Sequence, residues 1–322
     1  MAYPLGTPYS GSAPSPAYSG TFIPEIWSGK MLEKFYDATV IGAIANTSWE
    51  GEIKNQGDKV KIRTKPTISI ASYSADQALA VTRPSSNVID LLIDKGYYWN
   101  TVLDDVMEVQ SDLNQMSMWA DDASEQMKIQ IDTEVLAAMV TQHATADTGS
   151  VNRGATAGRL SANINLGVVG TTAVIIKPSG ANGTTEINAI DFILNMGQVL
   201  DEQNIPETGR WIVIPAWYST RLKKSDLRDA SLTGDATSLL RNGRLGMIDR
   251  FTIYSSNLLP VASGRTTIYA GHSHGMTFAS QLSKVETLRA ESTFGTLLRG
   301  LQVYGRQVVD YRAIAVGCVQ PG

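Results

Sequence analysis

"YAGHSHGMTFASQL", residues 269–282, admits two folds. Gly271-His272-Ser273-His274-Gly275 satisfies G-x-S-x-G, the pattern that lifts a nucleophilic serine between a strand and a helix in α/β-hydrolases. The flanks agree with it. Thr266 to Ala270 reads as a short strand, and Met276 to Leu282 predicts a helix. On that reading the chain is a serine hydrolase acting through Ser273. Otherwise the stretch is an ordinary turn and the fold must be sought elsewhere.

The rest of the chain decides. In the hydrolase order an acid and then a histidine follow the serine. Only 49 residues follow Ser273, and their one histidine is His274, its immediate neighbour. Side chains of adjacent residues diverge, so His274 cannot serve Ser273 as the base of a triad. His143 and His272 lie upstream, no His-Gly-Gly-Gly stretch supplies an oxyanion hole, and no run of βα units builds a parallel sheet. A serine hydrolase stays only as the alternative from another class.

Other chemistries fail for want of partners. His272 and His274 could share a strand face and begin a zinc site, but no further histidine is spare, and the single cysteine lies in an apolar run. That residue, Cys318, reads as buried and inert, and being alone it excludes an internal disulfide. Asp104-Asp105 and Asp121-Asp122 are neighbours, about 100° apart if helical, and not preassembled acid/base pairs. No Walker-type or dinucleotide-binding glycine loop occurs, and Asn242-Gly243 reads as a turn. The sequence therefore predicts no enzyme, no metal and no cofactor.

Bulk properties narrow the field further. At 322 residues the chain can hold two or three subdomains. No apolar run reaches the roughly 18 residues of a membrane span, and no signal peptide is evident, so a cytosolic product is expected. The net charge of −4 argues against dedicated nucleic-acid binding.

The order of parts is more informative. Residues 1–20 carry no charge, four prolines and the tyrosines Tyr3, Tyr9 and Tyr18, which suits an extended arm ordered against a partner. Residues 22–46 read as helical after Pro24. In "GDKVKIRTKPTISI" Val60, Ile62, Ile68 and Ile70 take even positions, while Lys59, Lys61, Arg63 and Lys65 take odd ones. Period two predicts a strand with one apolar and one basic face. With the return "VIDLLIDKGYYW", residues 51–100 become one long two-stranded excursion, which needs something to lie on. Residues 112–146 form the clearest helix. Its apolar positions from Leu113 to Met139 step by three or four over about 40 Å, at about 1.5 Å per residue. A nearly uncharged loop with short strands fills 148–185, a second helix covers Ile187–Gln203, and short elements follow until a strand-rich end. The class is α+β.

This succession resembles the major capsid protein of tailed double-stranded DNA bacteriophages, the HK97-type fold. "TFIPEIWSGKMLEKFYDATVIGAIAN" is similar to the segment after the arm in that group. "LLRNGRLGMIDRFTIYSSNLLP", "AGHSHGMTFASQLSKVETLRAE" and "LRGLQVYGRQVVDYRAIAVG" look like its closing segments. The resemblance implies an N-terminal arm (1–20), a helical segment (21–50), an extended E-loop hairpin (51–100), a peripheral domain with its spine helix (101–186, helix from 104), an axial domain (187–300) and closing strands (301–322). It implies self-assembly into pentamers and hexamers of an icosahedral virion shell around packaged DNA, without sequence-specific binding. It also implies assembly in the bacterial cytoplasm, away from membranes, with a portal and a cement protein as candidate partners. Residues 1–20 are too short for a fused scaffolding domain, so scaffolding is expected from a separate protein or not at all. An encapsulin compartment shares the fold, but the proline-rich arm and long hairpin suit a phage coat better. The basic face of Lys59, Lys61, Arg63 and Lys65 is expected to meet an acidic strip on the next subunit, with Asp104, Asp105, Asp121 and Asp122 as candidates. The arm tyrosines are further contacts.

Overall fold

The computed structural model describes residues 36–49, 59–66, 68–75, 77–79, 81–105, 115–147, 152–153, 164–225, 246–291 and 293–322. The chain divides into two units, Met1–Lys34 and Phe35–Gly322, and all described residues belong to the second. Its first half holds α1 (Ile41–Ile44), β1 (Lys59–Arg63), β2 (Val88–Leu92), β3 (Lys95–Asp104) and the long helix α2 (Gln115–Ala146). Then come β4 (Val174–Lys177), β5 (Glu186–Asn188), α3 (Ala189–Glu202), β6 (Arg210–Ile214) and α4 (Ala216–Lys224). The last part holds β7 (Met247–Ile248), β8 (Phe251–Ser255), β9 (Val261–Ala262), β10 (Arg265–His272), β11 (Met276–Arg289), β12 (Gly295–Val308) and β13 (Ile314–Pro321). The class is α+β, as the sequence predicts.

Beside the two-stranded pair β1-β2, two sheets organise these elements. The larger is mixed, in the order β5-β4-β13-β10-β6-β8-β7, with β9 paired to β10. Every residue of β6 is buried, as suits a central strand covered on both faces. Helix α3 turns Phe192, Ile193, Met196, Val199 and Leu200 onto the sheet, the spacing of one apolar helix face. There Gly317 of β13 makes room for it: a Cβ would stand 2.8 Å from the Phe192 ring. The Tyr218 hydroxyl of α4 donates to the Ala189 carbonyl at 2.8 Å and ties the two helices.

The smaller sheet, β11-β12-β3, is antiparallel, with two strands of 14 residues. Helix α2 runs along β12. Tyr304 donates to Glu134 at 2.6 Å, Arg306 pairs with the same carboxylate, and the Val308 amide donates to Gln142 at 3.2 Å. Ile131, Val135, Leu136 and Met139 of α2 are buried in the main core, whereas Met116, Ala120, Ala123 and Met127 are half-buried. The Tyr269 hydroxyl of β10 donates to the Leu136 carbonyl at 2.8 Å and couples helix to central sheet.

Several expectations need correction. Met276–Leu282 is not a helix but the start of β11, and "MTFASQL" and "KVETLRA" are one strand. The expected helix over 22–46 survives, among described residues, only as the single turn α1. Among the described residues the two arms of the 51–100 excursion pair over five residues, Lys59 to Arg63 against Leu92 to Val88. Beyond Ile93 the return strand leaves the hairpin and joins β12 as β3. Asp104 closes β3, so the long helix does not begin there. Residues 106–114, including Leu113, and the Asn242-Gly243 turn lie outside the described residues.

Candidate functional site

The quoted stretch is a crossing between sheets. β10 ends at His272, Ser273–Gly275 make one 3-10 turn, and β11 begins at Met276. The His272 imidazole Nδ1 accepts the His274 amide at 3.1 Å, and burial with the neighbouring His274 holds its pKa below the usual value. Gly271 and Gly275 are small because β13 starts against them. A Cβ on Gly271 would lie 2.6 Å from the Ala313 carbonyl oxygen, and one on Gly275 would lie 2.5 Å from Ile314 Cγ1. Nothing here activates Ser273. His143, the other histidine, is buried on α2, where Nε2 lies 2.9 Å from the Ile314 carbonyl. Burial lowers its pKa, so it is a neutral structural group. Cys318 is buried, and burial raises its thiol pKa. Among the described residues no cluster of His, Cys, Asp and Glu could hold a metal, and no helix is long and apolar enough to cross a membrane.

The chemistry of this chain lies instead on exposed surfaces. In β1 the alternation is realised: Ile62 is buried while Lys59, Lys61 and Arg63 are exposed. Ile62, Leu91 and Ile93 pack with Ala279 of β11, so the base of the hairpin does lie on the smaller sheet. Lys59 pairs with Asp90 at 3.1 Å. Lys61, Arg63 and Lys65 meet no carboxylate among the described residues. Lys65 and Arg83 instead line a polar groove of about 450 Å³ between the two arms, together with Thr64, Thr82 and Asn87. The apolar positions beyond β1 are uncovered: Ile70 is 96% and Val81 92% exposed, and Ile68, Tyr73 and Leu79 are exposed as well.

The four aspartates do not gather into one open strip. Asp105 takes a two-pronged ion pair from Arg289, one bond at 2.8 Å, bracing the β11–β12 tip. Asp122 on α2 accepts the Tyr36 hydroxyl at 2.8 Å. Asp104 and Asp121 are exposed, at the end of β3 and on α2. Tyr3, Tyr9 and Tyr18 lie outside the described residues.

A second open surface escaped the sequence reading. Paired residues of a sheet share a face, so Tyr98 and Leu301 lie together, as do Val102, Leu297 and Leu288. Tyr97 and Tyr304 occupy the opposite face, beneath α2, with rings 6.2 Å apart. Tyr98, Val102, Leu288 and Leu301 are exposed. Between them Glu286 binds Lys284 and Arg299, each at 2.6 Å, and these bonds lower its pKa. A groove of about 510 Å³ opens there, beside Tyr98 and Trp99. The signal available was "YYW": aromatics at consecutive strand positions demand cover on both faces.

Two uncovered apolar surfaces, with no catalytic cluster among the described residues, are what a self-assembling subunit needs. The family model for phage capsid protein matches residues 100–317. The chain belongs to the phage capsid protein family. It is a structural shell protein, not an enzyme. Solved structures agree on the fold of this capsid protein. A Mycobacterium phage Che8 structure is 24% identical, with 93% of this chain and 98% of that one covered at a TM-score of 0.73. The mature capsid of bacteriophage PhiM1 gives 13%, 98% and 98% at 0.67. The capsid of a native GTA particle gives 14%, 96% and 100% at 0.65. No curated protein matches the sequence.

Proposed function

We propose that this capsid protein is the major shell subunit of a tailed phage, assembling as pentamers and hexamers into an icosahedral particle around double-stranded DNA. The observation that carries the reading is the hairpin. A subunit in isolation would leave Ile68, Ile70, Tyr73, Leu79 and Val81 in water on a segment paired over only five residues. Such a segment is stable when a neighbour covers it. The hairpin of one copy lies on the smaller sheet and α2 of the next. Its apolar tip covers Tyr98, Val102 and Leu301, and its free cations Lys61, Arg63 and Lys65 approach Asp104 and Asp121. Asp105 and Asp122 serve mainly as braces within their own subunit. In this assembly residues 1–20, with Tyr3, Tyr9 and Tyr18, act as an arm against a neighbour. Residues 51–100 form the E-loop, 101–186 and 301–322 the peripheral domain, and 187–300 the axial domain. Assembly takes place in the host cytoplasm, with a portal, scaffold and cement protein supplied separately.

Negative-stain electron microscopy of the expressed protein, alone and with co-expressed phage assembly proteins, tests this. Closed shells or rings of five and six are expected. A protein that stays monomeric under both conditions overturns the reading.

A further inference from the structure

We propose that the basic, half-exposed stripe of α4 is a phosphate-binding surface that contacts the packaged duplex, an inference that rests on the shell reading above. The described cations are divided sharply. Most described lysines and arginines outside the hairpin are held by a carboxylate of their own subunit, from Lys95 with Asp94 to Arg312 with Asp310. Arg265 reaches a backbone carbonyl. Arg221, Lys223 and Lys224 stand together, three cations within one turn of α4, none with an acidic partner among the described residues.

Their surroundings suit a sugar-phosphate strand. Trp217, Thr220, Arg221 and Lys224 follow one face of α4 at helical spacing and line a groove of about 350 Å³. Pro178 and Pro321 form its other wall. Trp217 and the two prolines offer an apolar floor for a deoxyribose, Thr220 a hydroxyl donor, and Arg221 and Lys224 two charges about one helical turn apart. Hydroxyl and cationic donors of this kind dominate contacts to DNA backbones and carry no sequence information. The three charges also sit well at the negative end of the helix, but that role requires no groove and no aromatic floor. A chain of net charge −4 with only two such cations per copy in the groove would hold DNA weakly and release it in salt.

The test is fluorescence anisotropy of a labelled 30-base-pair duplex titrated with the full-length protein, across sodium chloride concentrations. Neutralising about two phosphates predicts a slope of log K against log salt of about −1.8, or a loss of about 12-fold between 50 and 200 mM. The variant Arg221→Gln/Lys223→Gln/Lys224→Gln should lose duplex binding and flatten that slope, with an unchanged melting temperature and normal shells in the microscope. The variant Lys61→Gln/Arg63→Gln/Lys65→Gln should keep duplex binding. Equal duplex affinity of the α4 variant and wild type overturns the proposal. So does preferential binding of polyglutamate over the duplex, which would make the groove a dock for an acidic protein. Failure of the shell reading shows separately, as absence of particles from the wild type.

Discussion

The glycines of G-x-S-x-G carry a structural demand and the serine none. Gly271 faces the Ala313 carbonyl oxygen at a distance no Cβ tolerates, and that oxygen belongs to backbone, which cannot swing aside. Gly271→Ala is expected to cost about 1–3 kcal/mol through forced displacement of β13. Ser273→Ala should stay within about 0.5 kcal/mol, because the side chain is half-buried and engaged in no bond that the fold depends on. Urea unfolding of both variants distinguishes this from a nucleophile elbow, in which the serine is the sensitive position and ester turnover disappears with it. A motif defined by spacing shows that small residues are required but not which neighbour requires them. Here the neighbour, β13, lies some 40 residues downstream in the chain, beyond any local pattern.

At the scale of elements, legibility follows how each is covered. β1 and the buried half of α2 have one wet face and one dry face, so their periods are visible in sequence. β11 begins with Met276 and Thr277 both buried, Met276 against the main core, while Asn46 pairs with the backbone alongside Thr277. Without alternation "MTFASQL" mimics a helix. The break between β2 and β3 was equally hidden, since Ile93 and Asp94 differ little from their neighbours and only pairing to β12 reveals the change of sheet. What fastens α2 to that sheet was invisible too. Burial pushes the Glu134 carboxyl upward, but bonds from Arg306 and Tyr304 outweigh it and leave its pKa below the usual value. A carboxyl lowered by folding stabilises above its unfolded pKa, near 4.5, and the benefit is lost as pH falls through the folded value. Glu134→Gln should therefore cost about 1.5–3 kcal/mol near neutrality. The gap in urea midpoint between it and wild type should close as pH drops below about 4.5. A gap independent of pH would mean that shape, rather than charge, fastens the helix.

At the scale of the molecule the two proposed components of the seam respond differently to salt. Free cations such as Lys61 and Arg63 act through Coulomb attraction, worth roughly 0–1 kcal/mol per exposed pair and screened beyond about 10 Å at 0.1 M salt. Apolar side chains such as Ile70 and Val81, more than 90% exposed in the subunit, contribute through area removed from water, which salt does not weaken. Light scattering of assembling protein from 0.05 to 1 M sodium chloride separates them. Lys61→Glu/Arg63→Glu should assemble poorly at low salt and approach wild type as salt rises. Ile70→Ser/Val81→Ser should fail equally throughout, although each variant subunit stays folded. If the charge reversal is silent at low salt, the basic face is merely solvated and the apolar tip alone makes the seam. If the serine variant assembles normally, the tip is not covered in the shell, and the hairpin has been assigned to the wrong contact.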